Sequence, residues 1–341
     1  MSDALPYAHG GPPLTGRLRV EPADFEVEEI LGFEPSGQGE HAFLWIEKVG
    51  ANTEWVARQL AGATGVAPMA VGFAGLKDRH AVTRQAFTVQ LPGRADPDWS
   101  ALAIAGVHVL SATRHDRKLK RGAHRGNRFR VRLRDLRGDR AAAEKCIAAI
   151  RVRGVPNYFG EQRFGRDGHN LALAEALFAG QRMPRHQRGF ALSAARSELF
   201  NGVLGVRVRT GDWDRALEGE VWMLAGSHAI FGPEPFNDEL ARRLAEFDIH
   251  PTGPLWGAGE LRSVADVRAL EMEAVAPLAA IASGLERAGL NQERRSLRLP
   301  VEDLAHDWHS DAELTLDFRL AAGSFATTML RELCDWHAAV G

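Results

Sequence analysis

Two cysteines, Cys146 and Cys334, are all the thiols in 341 residues. They lie in unrelated helical patterns with no CxxC spacing. That argues against a disulfide framework and a cysteine-based zinc site, and it suggests a reducing, cytoplasmic setting. No apolar run approaches the roughly 18 residues needed to cross a bilayer. Met1 to Pro13 lacks a basic region followed by an apolar stretch, so neither membrane insertion nor a secretory signal is expected. No glycine-rich loop ends in Gly-Lys-Ser/Thr, no glycine spacing fits a dinucleotide fingerprint, and no Gly-x-Ser-x-Gly elbow occurs. His306 and His309 stand three apart without a companion carboxylate pattern, which is a weak basis for a metal. Internal repeats and low-complexity tracts are absent as well. What remains is a chain with 45% apolar and 25% charged residues, long enough for two ordinary domains.

An excess of one sign of charge is lacking overall but not locally. The net charge is −2, yet Arg114 to Arg140 carries 12 Lys+Arg against 3 Asp+Glu, leaving the remainder of the chain at −11. A basic ribbon on an acidic body is the electrostatic footprint of a polyanion partner. Its first half, with Arg117, Lys118, Lys120, Arg121 and Arg125, reads as a mobile loop able to follow a phosphate backbone. Its second half, Asn127 to Arg134, alternates without a fault. Arg128, Arg130, Arg132 and Arg134 share one face, and Phe129, Val131 and Leu133 share the other. A solvated basic strand face and a phosphate-binding face both fit this pattern, although the planar fork of arginine favours phosphate.

The stretch from Val71 to Gln85 carries the chemistry. The apolar run Met69–Ala74 reads as a buried strand that breaks at Gly75. Lys77, Asp78, Arg79 and His80 follow, and a second strand begins near Gln85. A carboxylate at a strand end with cations on both sides suits a nucleophile or base; it equally suits a polar turn with a surface ion pair. Elsewhere, strand patterns cover Arg17–Ile30 (in two pieces), Ala42–Val49, Val107–Thr113 and Glu313–Leu320. Helical spacing covers Asn52–Gly62, Arg140–Arg153, Leu171–Ala179, Leu192–Leu204, Asp238–Phe247, Val264–Ala282 and a last helix running to Trp336, with Ser324 as its expected cap. The glycine- and aromatic-rich segment Gly154–Gly168 fits either a packing junction or a backbone approach to a ligand. Strand-rich ends around a helix-rich middle predict an α+β domain interrupted by an insertion.

Several of these segments resemble the TruD family of tRNA pseudouridine synthases. They are Pro22–Phe25, Ala74–Gln85, Gly122–Phe129, Gly154–Gly160 with Gln162–Gly165, Leu192–Ser197 and Ala322–Thr327. The resemblance covers nearly the whole chain, and Ala74–Gln85 is its most specific part. It implies a V-shaped α+β protein. A catalytic pseudouridine synthase domain with a mixed, largely antiparallel sheet (1–152 and 302–341) is interrupted by an inserted α/β TRUD domain (153–301). It further implies an isomerase acting on uridine 13 in the D arm of tRNA. Asp78 would be the catalytic carboxylate, with Phe25, Asn127, Phe129 and Phe325 in the active site, and Arg19 where the family has a lysine. No cofactor and no metal is implied, tRNA is the partner, and a monomer without an obligate protein partner is expected. A non-catalytic tRNA-binding or tRNA-folding factor would use the same ribbon without needing Asp78. A carboxylate-based nucleoside hydrolase would need an acid–base pair that the surroundings of Asp78 lack.

Overall fold

The strand periodicity at the two ends of the chain builds one sheet. In the computed structural model, which describes residues 5–338, the first stretch gives β1 (Leu14–Leu18), β2 (Phe25–Ile30), β3 (His41–Val49), α1 (Thr53–Thr64), β4 (Val71–Phe73), β5 (Val82–Gln90), β6 (Val107–His115), β7 (Gly126–Gly138) and α2 (Arg140–Arg153). The middle gives β8 (Val155–Pro156), α3 (His169–Phe178), α4 (Arg185–Thr210), β9 (Trp222–Leu224), β10 (Ile230–Phe231), α5 (Asp238–Ala245), β11 (Ile249–Leu255), α6 (Ala265–Val275), α7 (Ala279–Arg287), β12 (Glu293–Ser296) and β13 (Arg298–Leu299). The end gives β14 (Glu302–Ser310), β15 (Glu313–Ala321), α8 (Ala326–Leu333) and β16 (Cys334–Ala338).

These elements form two compact units. Among the described residues, the first holds 13–141, 301–324 and 334–338; the second holds 5–12, 142–300 and 325–333. These units and the expected bounds differ at four places: the N-terminal segment, residues 142–152 and residues 325–333 group with the middle of the chain, and Val301 groups with the sheet.

In the first unit, a sheet runs in the order β14-β15-β7-β2-β5-β3-β6, with β4 on β5 and β1 joining β7 to β16. Only β2/β5 and β1/β16 are parallel; every other pairing is antiparallel. Alternation in β7 sends Phe129, Val131 and Leu133 into the core against Phe318, Leu316 and Leu314 of β15. Val56 and Leu60 of α1 cover the other end, packing on Leu44, Ile46, Phe87 and Val89.

The opposite edge of β7 answers a question left open by the sequence. Arg128 and Arg130 pair with Asp317 at 3.5 and 3.3 Å, Arg132 with Glu313 at 3.3 Å, and Arg134 with Asp24 at 2.8 Å. The arginine stripe therefore meets acids of its own unit. Two further readings are corrected. The helix expected to reach Trp336 ends at Leu333, because Cys334–Ala338 pairs in parallel with Leu14–Leu18. The strand expected over Met69–Ala74 is confined to Val71–Phe73, and Met69 sits in a 3₁₀ turn, largely exposed.

In the second unit, α4 is twice the length its apolar spacing suggested. Ala191, Ala195, Leu199 and Val203 bury against α6 and α7, and Gly211 in the left-handed region (φ 78°) ends the helix. The short sheet β10-β9-β11-β12 lies in the same unit. Two buried ion clusters hold it. Arg207 binds Asp212 at 2.6 Å and Glu220 at 3.0 Å, and Arg294 binds Glu271 at 2.5 Å.

The aromatic core of the first unit yields a direct test. Phe318 is 1% exposed and stacks on Phe129 with centroids 5.3 Å apart. Phe318→Ala should cost about 3–5 kcal/mol in urea unfolding. A loss below about 1 kcal/mol would show that these rings do not form the centre of the core.

Candidate active site

Between β4 and β5 the chain makes a polar turn that is fixed almost entirely by side chains. Thr53, at the start of α1, accepts the Lys77 N–H through Oγ1 at 2.9 Å and donates to Gln85 Oε1 at 2.9 Å. Gln85 Nε2 in turn donates to the Gly75 carbonyl at 3.1 Å. Asp78 Oδ1 accepts the His80 N–H at 3.0 Å, the short-range bond that favours Asp in turns. Space at Gly75 is tight: a Cβ there would stand 2.9 Å from Lys77 Nζ and 3.1 Å from the His124 ring, so a larger residue would push on the Lys77 side chain.

Beneath the turn lies Lys48, a fully buried lysine. Its Nζ donates to the Asp78 carbonyl at 3.0 Å and to the Ala51 carbonyl at 2.7 Å. Burial pushes its ammonium down from the usual 10.5 to about 8; the Asp78 charge opposes this shift and Lys77 adds to it. The ammonium thus remains charged at neutral pH and clamps the Asp78 backbone.

Among the described residues the Asp78 carboxylate has one ion-pair partner. Arg19 Nη2 stands 2.6 Å from Oδ2, and both side chains are about one quarter exposed, 22% and 25%. The sequence suggested cations on both sides of Asp78, and the fold separates them. Lys77 turns inward to Glu29 at 2.8 Å, with both side chains buried, and Arg79 donates to the Gly50 carbonyl at 3.1 Å. Glu29 also accepts the Ala86 N–H at 3.1 Å, and His124 lies 4.0 Å from it. Burial, with help from Lys77, holds the His124 imidazole below its ordinary range.

Arg19 is placed by its backbone and by an aromatic ring. Its φ is +60°, a left-handed conformation uncommon outside glycine, and its guanidinium carbon lies 4.3 Å above the Phe25 ring. The Pro22–Phe25 segment supplies that ring. Asp24, 1% exposed, accepts the Glu21 N–H at 2.9 Å and binds Arg134 at 2.8 Å, closing the turn that delivers Phe25. Phe25 meets Phe129 edge-on at 6.1 Å, and Phe129 stacks on Phe318. Asn127 sits opposite Glu29 in the register of β2 and β7. Arg19 Nε, Thr83 Oγ1 and Asn127 Oδ1 are buried without a hydrogen-bond partner.

The structure therefore brings Asp78, Arg19, Phe25 and Phe129 together, with Asn127 on the same face of the sheet. Phe325 belongs to the second unit, where it is 40% exposed just before α8. The basic loop is anchored along its length rather than free. Leu119 is buried and its N–H donates to Thr88 Oγ1 at 3.0 Å. Lys118 binds the Met69 carbonyl, Arg121 lies 4.2 Å over Phe73 and pairs with Glu54, and the Gly122 N–H bonds the Ala74 carbonyl at 2.8 Å. Arg117, Lys120 and Arg125 are exposed. A cavity of about 310 Å³ lies on the opposite face of the sheet, lined by Arg130, Arg132, His306 and Asp317, and contains neither Asp78 nor Arg19. His309 Nε2 is hydrogen-bonded to Thr315 Oγ1 at 2.8 Å.

Lys48, Glu29, Thr53 and Gln85 were not anticipated as site residues. A signal for the first two existed. Lys48 continues the inward series Ala42, Leu44, Ile46, and Glu29 continues Phe25, Val27, so each is a charge at a core position.

A mixed, largely antiparallel sheet carries a buried polar floor under the partly exposed Asp78 carboxylate, and known proteins define the family. The fold matches a crystal structure described as a putative tRNA pseudouridine synthase D from Methanosarcina mazei, with a TM-score of 0.76 over 96% of this chain and 95% of that one, at 22% identity. The family model for tRNA pseudouridine synthase D (TruD) matches residues 2–181 and 172–333. Curated proteins named tRNA pseudouridine synthase D are similar along almost their whole length. The one from Methylococcus capsulatus is 53% identical over 98% of this chain and 95% of its own, and that from Xanthomonas axonopodis pv. citri is 51% identical over 97% and 94%. The chain belongs to the TruD family of tRNA pseudouridine synthases.

The clamp under the turn makes a prediction about pH. Between about 8 and 10.5 the folded protein sheds the Lys48 proton while the unfolded chain keeps it. The unfolded state then binds more protons, and stability rises with pH across that window. Lys48→Met, uncharged and of similar shape, should lack this contribution. Urea unfolding at pH 7.5, 9 and 10.5 checks it; identical slopes for the two proteins would place Lys48 outside the buried environment described.

Proposed function

We propose that this protein isomerises uridine 13 in the D arm of tRNA to pseudouridine, with Asp78 as the catalytic carboxylate. The observation that carries the reading is the Asp78 geometry. One carboxylate, at the position of the family motif, is partly open to solvent and held at 2.6 Å by Arg19, whose guanidinium rests on Phe25. The reaction breaks the N1–C1′ bond, turns the uracil and joins C5 to C1′; the proton lost at C5 is balanced by one gained at N1. Nothing is oxidised and no group is transferred, so the chemistry requires no cofactor.

Asp78 serves by attacking C1′ or by taking a sugar proton, and both roles use an ionised carboxylate. Arg19 occupies one oxygen, while Oδ1 retains lone-pair capacity beyond the His80 N–H. Arg19 stands where the family has lysine; its fork pairs with the carboxylate and its face lies on Phe25, but it cannot serve as a proton donor. The target base must leave its stack to reach Asp78. In this reading Phe25 and Phe129 wall the site, and Asn127 Oδ1, unpartnered in the protein, accepts a hydrogen from the uracil or a sugar hydroxyl. Phe325 is assigned to the site by the family motif. The protein acts in the cytoplasm as a monomer without an obligate protein partner.

Asp78→Asn keeps the volume and removes the charge. Turnover on unmodified tRNA transcripts should fall by at least about 10³-fold, with tRNA affinity nearly unchanged. Near-normal pseudouridine formation by the variant would end the catalytic assignment and leave a tRNA-binding or folding role.

The exposed members of the basic loop contact RNA phosphates in this reading. Lys118 also holds the turn before β4, and Arg121 holds β4 and α1, so Arg117 and Lys120 give the cleaner test. Arg117→Ala with Lys120→Ala should weaken binding of all tRNAs alike and lower the slope of log affinity against log salt by about 1–2. Turnover at saturating tRNA should hold. Superimposable binding curves at two salt concentrations would remove the loop from the interface.

A further inference from the structure

The glycine- and aromatic-rich segment after β8 is not used by the chemistry above, and in the second unit it forms an unusual charge arrangement. Phe159 is buried, and two guanidinium groups address its ring. The Arg295 carbon lies 4.2 Å from the ring centroid and the Arg163 carbon 5.0 Å. Arg295 Nη2 donates to Asn157 Oδ1 at 2.6 Å, and Arg163 Nη1 donates to Ser193 Oγ at 2.9 Å. Asn157 is itself locked, its amide donating to the Ser296 carbonyl at 2.9 Å. Arg295 Nε is buried with no partner.

Among the described residues neither arginine has a carboxylate within ion-pair distance. Arg153, Arg196, Arg207 and Arg294 of the same unit each have one, with Asp214 at 2.7 Å, Glu293 at 3.0 Å, Asp212 and Glu220, and Glu271. Arg298, 4.1 Å over Phe247, also has none, but its guanidinium is taken up by His250 and the Leu244 and Ile249 carbonyls, whereas Arg163 and Arg295 share one ring. Two like charges sharing one ring, both partly withdrawn from water, repel each other and lose hydration without a compensating anion. The strain registers in their titration. Burial and the charge of Arg163 lower Arg295 to about 10, and burial lowers Arg163. Stacking on Phe159 offsets part of this cost. Planar donors held in place by Asn157, Ser193 and an aromatic face are pre-organised for a tetrahedral oxyanion.

We propose that Arg163 and Arg295, seated on Phe159, form a binding site for a backbone phosphate of the RNA substrate. This rests on the reading of the protein as a tRNA-modifying enzyme. It adds a phosphate contact in the second unit, separate from the basic loop of the first.

The experiment uses the full chain, as wild type and as Arg163→Gln, Arg295→Gln and Arg163→Lys. Arg163→Gln carries the test if Arg295→Gln does not fold, because the Arg163 side chain gives up only the Ser193 hydroxyl and the ring contact. First, melting temperature is measured in sodium phosphate and in sodium chloride of equal ionic strength. Wild type should be stabilised more by phosphate, and Arg163→Gln should lose the difference. Second, tRNA binding is measured from low to moderate salt. Arg163→Gln should bind about tenfold more weakly for every tRNA tested, with a salt slope lower by about 1. Arg163→Lys should recover the slope. Third, pseudouridine formation by the wild type is measured in the same preparation.

Superimposable tRNA curves for wild type and Arg163→Gln overturn the proposal, and they identify the pair as packing if the phosphate effect is equal in both proteins. Loss of the phosphate effect with unchanged tRNA binding also overturns it, showing a site for free anion only. A wild type that makes no pseudouridine overturns the enzymatic reading, and RNA as occupant with it; the phosphate comparison still decides separately whether the arginine pair binds an anion.

Discussion

A buried ammonium determines where the exposed carboxylate can be. Lys48 Nζ holds the Asp78 carbonyl at 3.0 Å and the Ala51 carbonyl at 2.7 Å, tying the turn after β4 to the start of α1. An ammonium in the interior is tolerated only when its donors are used. The same rule explains the neighbours. Lys77 finds Glu29, Glu29 finds the Ala86 N–H, and Thr53 and Gln85 close the remaining gaps. A polar floor of this kind contributes little net stability but penalises every alternative arrangement of the turn, since displacing one member leaves another buried and unpaired.

Charge in this protein is sorted by the fold into structural and available groups. The arginines of β7 look in sequence like a phosphate-binding row, but Asp317, Glu313 and Asp24 occupy them. In the loop before β7, Lys118 is tied to the turn before β4, Arg121 is tied to β4 and α1, and Arg117, Lys120 and Arg125 face solvent. Local charge density therefore overstates the surface offered to a polyanion. The excess of +9 counted between Arg114 and Arg140 is largely countered by acids that lie far off in sequence and close in space.

Arg19 joins two roles in one side chain. It places a positive charge beside Asp78 and rests its flat face on Phe25 at 4.3 Å. It reaches the carboxylate from a left-handed backbone position after β1. The Asp24–Arg134 pair holds the turn that follows, so the aromatic and the cation are positioned together.

Much was legible in the amino-acid order because it depends on neighbours two to four residues apart. The alternation of β3, β5, β7 and β15, the break at Gly75 and the gathering of ionisable groups at Asp78 are all local patterns, and the ordered motifs were enough to recognise the family. The inward lysine and glutamate were written in the same alternation, as charges at core positions 48 and 29, but only burial shows that they are paired and where they point. Tertiary structure alone decided the rest. Cys334–Ala338 leaves its helical pattern because β1 offers a strand edge, and Lys77 turns from Asp78 to Glu29 because a buried carboxylate demands a cation. The arginines of β7 are neutralised by a strand nearly two hundred residues away. Pairing between distant segments carries no local periodicity, so the chain states which groups are charged and only the fold states which of them are left free.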